Sequence, residues 1–375
     1  MASLVASAGG SSTNGLLVKP TRKHVDNCQF TSWFSLHGIK KVTFRSITIP
    51  IPEEFVEYLN EDGVILPKVP DGVSVNPFDP RYVRETKDDD WADEDYDDSD
   101  ESDEEGGAAA TKKSFPGFEA AILKAIEKLG GKVFVKTNWS SPRDAVWVSG
   151  TLQCQSVGEI ILLLKSSDFV SFDLEHAYDE CREESTEGES VRNASKRPEH
   201  FCLVLRKWCN LFPSQEFRCF VKDRQLIATS QRDPTKFYNF LPSNVSTYSP
   251  LVSEFFDTSI RPVFPDDNFS FDVYIDRKHR VWLQDFNVFS RATNALLFTW
   301  AELLAVDTQE ADAVANEFRV VQDPSGVQSS QLAAHKVPAD VVNDPNNFIK
   351  EFVESCRNGT LNVQSNGNVD DEGGQ

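Results

Sequence analysis

Residues 271–293 read FDVYIDRKHRVWLQDFNVFSRAT, and the fold hangs on how that stretch is parsed. Apolar and polar residues alternate through 271–275, a charged turn follows at 276–279, and alternation resumes through 281–286, so the spacing predicts a β-hairpin. Side chains repeat with period two along a strand, which puts Asp285 and Asn287 on one face, and hairpin pairing brings Asp272 beside them. Two carboxylates and an amide oxygen then converge. Like charges side by side on a ladder repel, so the group calls for a neutralising cation, and all-oxygen ligands suit magnesium held jointly with phosphate. The competing reading is a solvated strand face, which antiparallel sheets commonly present.

The segments before the hairpin extend the pattern. Residues 202–208 (CLVLRKW) form a β-like run ending in two cations and an aromatic, and 215–221 (QEFRCFV) alternate so that Glu216 and Arg218 oppose Phe217 and Cys219. Residues 226–231 add a strand with Arg232 at its end. Together these predict one sheet with a charged face. Further upstream, 115–129 are spaced as an amphipathic helix stopped by Gly130 and Gly131. A strand over 132–135 then delivers Lys136 and the polar loop KTNWSSPRDA (136–145). A lysine at a strand end beside small residues can clamp phosphate, although this is not a Walker loop because GxxxxGK[ST] is absent. In 28–67, Phe30, Trp33 and Phe34 have helical spacing, 42–49 alternate like a strand, and a helix opens after Pro52. Residues 156–164 read as a helix. Residues 290–306 read as one apolar helix carrying Ala295, Leu296, Phe298, Leu303 and Leu304, with another helix near 309–319.

Composition bounds the function. The 375 residues are 39% hydrophobic with 27 Phe and 7 Trp, enough for a large core. Of the net charge of −21, residues 85–105 contribute −13, from fourteen acids against one lysine. With no cationic stripe elsewhere, direct nucleic-acid binding is not expected. The seven cysteines, scattered at 28, 154, 181, 202, 209, 219 and 356, include no CxxC pair and no zinc spacing, which points to reduced thiols and a cytoplasmic location. No run approaches the length that crosses a bilayer, so no membrane association is expected.

The segments VFVKTNWSSPRDAVWV (133–148), LRKWCNLFPSQEFRCFV (205–221), SQRD (230–233) and FDVYIDRKHRVWLQDFNVFS (271–290), preceded by FRSITIPIPEEFVEYLNEDGVILP (44–67), closely resemble the cell-division-cycle protein 123 family over residues 28–304. The resemblance implies an α+β, ATP-grasp-like fold whose two lobes clamp a nucleotide between antiparallel sheets. Residues 1–25, rich in Ser, Gly and Ala, are expected as a disordered tail rather than a transit peptide, and 26–305 as the two-lobed domain that the resemblance implies. Within it, 87–112 are an acidic disordered insert, 115–165 the small-lobe nucleotide region, 180–198 a mobile loop and 201–305 the core sheet with the metal site. A C-terminal helical segment (306–355) and a disordered tail (356–375) follow.

The resemblance also implies ATP and Mg²⁺ as ligands. Lys136 would contact phosphate, with Asn138, Ser141 and Ala145 in the covering loop. The backbone of Leu205, Arg206, Lys207 and Trp208 would read the adenine edge. Glu216 would hold the ribose, Arg218 and Arg232 phosphates, and Asp272, Asp285 and Asn287 the Mg²⁺. The implied role is a monomeric assembly chaperone that binds the C-terminal domain of the gamma subunit of eukaryotic translation initiation factor 2. It would promote joining of the alpha and gamma subunits, supporting translation initiation and cell-cycle progression. An ATP-grasp ligase or kinase acting on a small molecule or peptide is the alternative. Catalytic turnover is not expected, because no nucleophile grouping or acceptor pocket can be read from the chain.

Overall fold

The hairpin forms at the edge of the larger of two sheets. The computed structural model describes residues 19–61, 113–182, 197–308 and 316–329. The acidic insert, the expected tails at 1–18 and 356–375, most of the 180–198 loop and most of the C-terminal helical segment lie outside those residues. Within them the strands are β1 (Ser46–Pro50), β2 (Val133–Lys136), β3 (Gln153–Cys154), β4 (Cys202–Lys207), β5 (Glu216–Lys222), β6 (Gln225–Gln231), β7 (Phe269–Ile275), β8 (Val281–Val288) and β9 (Glu317–Arg319). They build a four-stranded antiparallel sheet of order β1-β4-β2-β3 and a five-stranded sheet of order β8-β7-β5-β6-β9. All pairs in the larger sheet are antiparallel except β6 with β9.

Local chemistry sets most of these elements. The helix Pro116–Lys128 starts with proline in its first turn, where the missing N–H is not needed, and ends at Gly130 and Gly131, whose φ values of +93° and +82° suit glycine. Ser156 and Glu159 form a capping box that starts the helix Val157–Lys165. These helices, with Glu53–Asn60 and Asp168–Glu175, cover one face of the small sheet around Ile122, Val135, Ile161 and Leu205. The inner face of the large sheet (Phe217, Cys219, Phe271, Val273, Leu283, Phe286) packs on the helix Leu241–Phe255 and on Phe30 and Trp33. On its other face, Phe220 and Ala228 meet Ala295, Phe298 and Leu303.

Several expectations are corrected. β4 joins the small sheet, so the three strands 202–231 do not share one charged face. The stretch 42–49 becomes a strand only from Ser46, because Ile39–Val42 is a short helix. Of 290–306, only Trp300–Ala305 is helical, started by a Thr299–Glu302 capping box; the preceding residues wrap the sheet irregularly. Residues 317–319, expected in a helix, instead add a parallel strand to the free edge of β6, with Phe318 packed on Phe217 at 5.1 Å. Residues 22–27, expected to begin in a tail, form a helix whose Thr21 and His24 side chains cap its N-terminus.

The sheets meet along β8. Arg206 on β4 donates to the Gln284 carbonyl at 2.7 Å and to the Thr43 hydroxyl at 3.0 Å, and that hydroxyl donates to the Leu283 carbonyl at 2.7 Å. Thr43 is buried, so Thr43→Val leaves a carbonyl and a guanidinium N–H without partners. We expect it to cost about 2–3 kcal/mol, seen as a lower urea midpoint at unchanged slope. A loss below about 0.5 kcal/mol would mean that the seam does not depend on this hydroxyl.

Candidate nucleotide site between the two sheets

The centre of the open face is Asp272. β5 and β7 pair so that Arg218 stands opposite it, and β7 and β8 pair so that Asp285 flanks it on the other side. Arg218 grips the Asp272 carboxylate with two bonds, Nε to Oδ1 at 2.7 Å and Nη2 to Oδ2 at 2.8 Å, and Arg232 Nε approaches Oδ2 at 3.3 Å. Burial alone would raise the Asp272 pKa; the two guanidiniums outweigh it and hold the carboxyl well below the usual range. Asp272 is therefore a fixed anion with both oxygens taken by protein. It orients the two arginines. Arg218 is held further by the Asn294 carbonyl at 3.1 Å.

Glu216 pairs with Tyr274 and shares the face of Arg218. Burial raises its pKa against the opposing pull of Arg143 and Arg232, and the Gln284 side chain hydrogen-bonds it. Gln284 reaches this place through a bulge: Asp272 faces Asp285 while Val273 faces Leu283, leaving Gln284 as the extra residue. The bulge keeps both Leu283 and Phe286 on the core face despite their odd spacing. Simple alternation would have turned Leu283 to the side of Asp285 and Asn287.

The small sheet contributes the wall. Lys136, at the end of β2 and only 2% exposed, donates to both Asp285 oxygens at 2.8 and 2.7 Å. Burial lowers the lysine pKa and Asp285 opposes that shift. Arg206, also buried, has its pKa pushed down to about 10, yet stays protonated at neutral pH. Lys136 and Arg206 lie 5.6 and 5.5 Å from the Phe30 ring, which provides a π-face to two cations at once. Asn287 keeps a buried side-chain nitrogen without a hydrogen-bond partner.

The loop after Lys136 is held by bonds of its own. Asn138 is a tether: its amide donates to Gln29 and to the His200 carbonyl, both at 3.1 Å, and its oxygen accepts from the Cys202 N–H at 2.8 Å. Ala145 is fully buried in the core beside the small sheet, and the Ser141 carbonyl accepts from the Arg143 N–H at 2.7 Å. The backbone amides of Lys207 and Trp208 donate to the carbonyls of Arg45 and Lys132, Leu205 is core, and β4 lies between β1 and β2; those amides are not free to read a base. Beyond them, a cavity of about 700 Å³ opens beside Cys209, Asn210, Phe44, Tyr274 and Trp282, with Phe44 stacked on Trp282. Tyr274, in its lining, lies two residues from Asp272 on the same strand.

Five cations, Lys136, Arg143, Arg206, Arg218 and Arg232, thus converge on three carboxylates, Glu216, Asp272 and Asp285. A fourth acid, Asp173, lies behind the loop, engaged by Thr137 and by both the backbone and hydroxyl of Ser140. The cleft is cationic in a chain of net charge −21. Among the described residues no group of three or more His, Cys, Asp or Glu is arranged to hold a metal. Asp285 and Asn287 remain suited to an oxygen-seeking cation that arrives with phosphate, since Asp285 has a quarter of its side chain exposed and the Asn287 amide is unengaged. Sequence reasoning missed Gln284, Thr43, Asp173 and the role of Arg143. Of these only Arg143 carried a signal, as a cation within the same polar loop as Lys136.

The raised pKa of Glu216 has a measurable sign. A carboxyl whose folded pKa exceeds its unfolded value stabilises fully below the unfolded pKa, and that contribution is lost as pH rises through the folded pKa. Glu216→Gln is therefore expected to be at least as stable as the parent at pH 7, with the advantage shrinking as pH falls through the folded pKa towards 4.5 and absent below it. Thermal melts across pH 4–8 check this, and a variant less stable at pH 7 than at pH 4 relative to the parent would contradict it.

Comparison with known proteins follows the same lines. The D123 family model matches residues 33–344. A protein of Xenopus tropicalis named translation initiation factor eIF2 assembly protein is 38% identical over 332 residues, covering 86% of this chain and 91% of that one. Cell division cycle protein 123 of Phaeosphaeria nodorum is 37% identical over 371 residues, covering 85% and 91%. The solved structure of Cdc123 from Schizosaccharomyces pombe aligns over 81% of this chain and 98% of its own, with a TM-score of 0.59 and 34% identity. A family match across most of the chain, joined to relatives more than a third identical over nearly their whole length, places this chain in the D123 family.

Proposed function

We propose that this chain is an ATP- and magnesium-binding assembly chaperone for eukaryotic translation initiation factor 2, in which the nucleotide bridges the two sheets of an ATP-grasp-like clamp. The observation that carries the nucleotide part is the cationic cleft between the sheets, since a surplus of buried positive charge is neutralised by a polyanion and by no uncharged ligand. The names of the relatives carry the assembly part.

In this reading Lys136, Arg218 and Arg232 face the phosphates, Glu216 the ribose, and Asp272, Asp285 and Asn287 the magnesium. The base occupies the aromatic end beside Tyr274 and Trp282. The bound nucleotide supplies negative charge and a divalent cation, so Lys136 and Asp285 exchange each other for phosphate and metal. Each side chain keeps an opposite charge, and the two sheets become joined through the ligand. The stiffened clamp then binds the C-terminal domain of the gamma subunit and favours its joining to the alpha subunit. Turnover has no part in this scheme.

Two outcomes follow. Mg-ATP at about 100 times its Kd should stabilise the protein by about 2.7 kcal/mol in thermal or chemical unfolding; no stabilisation at millimolar ATP would overturn the nucleotide reading. Mg-ATP should also tighten binding to the isolated gamma-subunit domain in the parent but not in Asp285→Asn, which keeps the shape of the side chain and removes its charge. Equal gamma-subunit affinity with and without Mg-ATP would show that the two ligands are uncoupled. Steady ADP release on adding a second substrate would favour a ligase or kinase instead.

A further inference from the structure

The cavity of about 700 Å³ at the hairpin end has aromatic walls and a cationic rim. Phe44 lies stacked on Trp282 at 6.1 Å and tilted on Tyr274 at 6.5 Å, and Phe34 belongs to the same lining. Phe34, Phe44 and Trp282 are only partly buried, so ring surface stays open to water. The rim carries Lys40, Lys41 and Arg45, all exposed, and none of the three makes an ion pair with another described residue. The one acid among the lining residues, Asp276, is already engaged: the Arg280 guanidinium holds it at 2.8 Å and the Trp282 indole N–H donates to it at 3.1 Å.

A lone surface lysine is ordinarily just solvated, and one exposed ion pair contributes little. Three uncompensated cations around open aromatic surface, in a chain of net charge −21, fit an anionic segment that brings a ring of its own. The chain carries such a segment. Residues 85–105 contribute −13, and within them Trp91 stands directly after Asp88, Asp89 and Asp90 and two residues before Asp93. The segment is also within reach. Glu61 and Lys113, the described residues on either side of 62–112, form an ion pair, so both ends of the insert leave from one place. Ser46, in the cavity lining, is joined to Asn60 by β1, a short link and the helix Glu53–Asn60, a path of no more than about 40 Å. The chain from Glu61 to Trp91 can span up to about 100 Å.

We propose that this cavity is the docking site of the chain's own acidic insert. The Trp91 indole seats against Phe34, Phe44 and Trp282, and the aspartates beside it face Lys40, Lys41 and Arg45. The ring supplies anchorage by burying apolar surface, and the charges supply steering and register. Tethering holds the segment at an effective concentration on the order of millimolar, so a weak intrinsic affinity suffices. The docking does not depend on the nucleotide reading. Where the base takes the end beside Tyr274 and Trp282, the two occupants exclude one another and the insert is displaced.

Cys209, exposed and in the cavity lining, provides the test. The full chain carrying Ala92→Cys is oxidised without nucleotide, and the disulfide formed is mapped by peptide mass spectrometry. The introduced cysteine should join Cys209 within one chain. Adding Trp91→Ser, or reversing the rim with Lys40→Glu, Lys41→Glu and Arg45→Glu, should slow that bond at least about tenfold, the range that loss of an anchored state opens. Raising salt from about 0.05 to 0.5 M should slow it as well, because the rim charges are exposed. The rim variant should melt as the parent does, since its three cations have no ion pair to lose; should it melt lower, the Trp91→Ser and salt arms, which leave the rim intact, still decide. An unchanged rate with Trp91→Ser, or a disulfide to a different cysteine, would overturn the docking. A disulfide between two chains would give the surface to a second copy and overturn it too.

Discussion

A lysine that is 2% exposed with its ammonium held by a carboxylate from a different sheet governs how the two halves of this chain meet. Placing an ammonium in the interior costs several kcal/mol, and one opposing carboxylate in good geometry roughly offsets that cost without much surplus. The Lys136–Asp285 pair is thus weak evidence for stability and strong evidence for position. Strand β2 ends where its lysine can reach β8, Arg206 on the adjacent strand reaches the same edge through backbone carbonyls, and Phe30 lies against both cations. The edge of the larger sheet, which would otherwise offer unpaired backbone to solvent, is covered by this polar seam.

The two aspartates of the hairpin show how one ladder position can carry two different duties. Asp272 is bonded by two arginines of its own sheet and lies almost wholly out of water, so stripping it of partners would leave a bare buried charge. Asp285, directly across the ladder, is a quarter exposed, and among the described residues its side-chain bonds come from Lys136. Like charges at opposed positions coexist because each has its own cation. The repulsion that pointed to a metal in the sequence is answered in this structure by side chains.

What could be read from the chain was what depends on neighbours in sequence. The alternation of β5, β6 and β7, the helices after Ser156 and Pro116, and the opposition of Asp272 to Asp285 all follow from local period and turn chemistry. The bulge at Gln284 did not follow, because it answers to core packing of Leu283 and Phe286 against distant helices. The placement of β4 in the small sheet was hidden for a similar reason: its partners β1 and β2 lie some 70 residues or more away, and its own residues are consistent with either sheet. The bonds of the Asn138 side chain to backbone at residues 200 and 202 were hidden as well, because no spacing reveals them. The strand at Glu317–Arg319 exists only because β6 has an edge to offer, so three residues with no strand signal of their own were drawn into a sheet.

The difference between the fixed and the exchangeable aspartate bears on how a ligand can act at a distance. A ligand shifts a conformational equilibrium only by its difference in affinity for the two states. If it touched one sheet alone, it would bind equally well whatever the other sheet did, and no coupling would result. The exchangeable bond here is the one that crosses between sheets, whereas the Asp272 cluster lies within one. In the proposed reading, a metal-bound phosphate that replaces the Lys136–Asp285 bond contacts both sheets at once, so its affinity must depend on their separation. By the reciprocity of linked binding, a protein partner that prefers the same separation is then strengthened by the nucleotide by the same factor as it strengthens the nucleotide. The coupling therefore needs no hydrolysis; it needs only that the replaced bond be the one between the sheets.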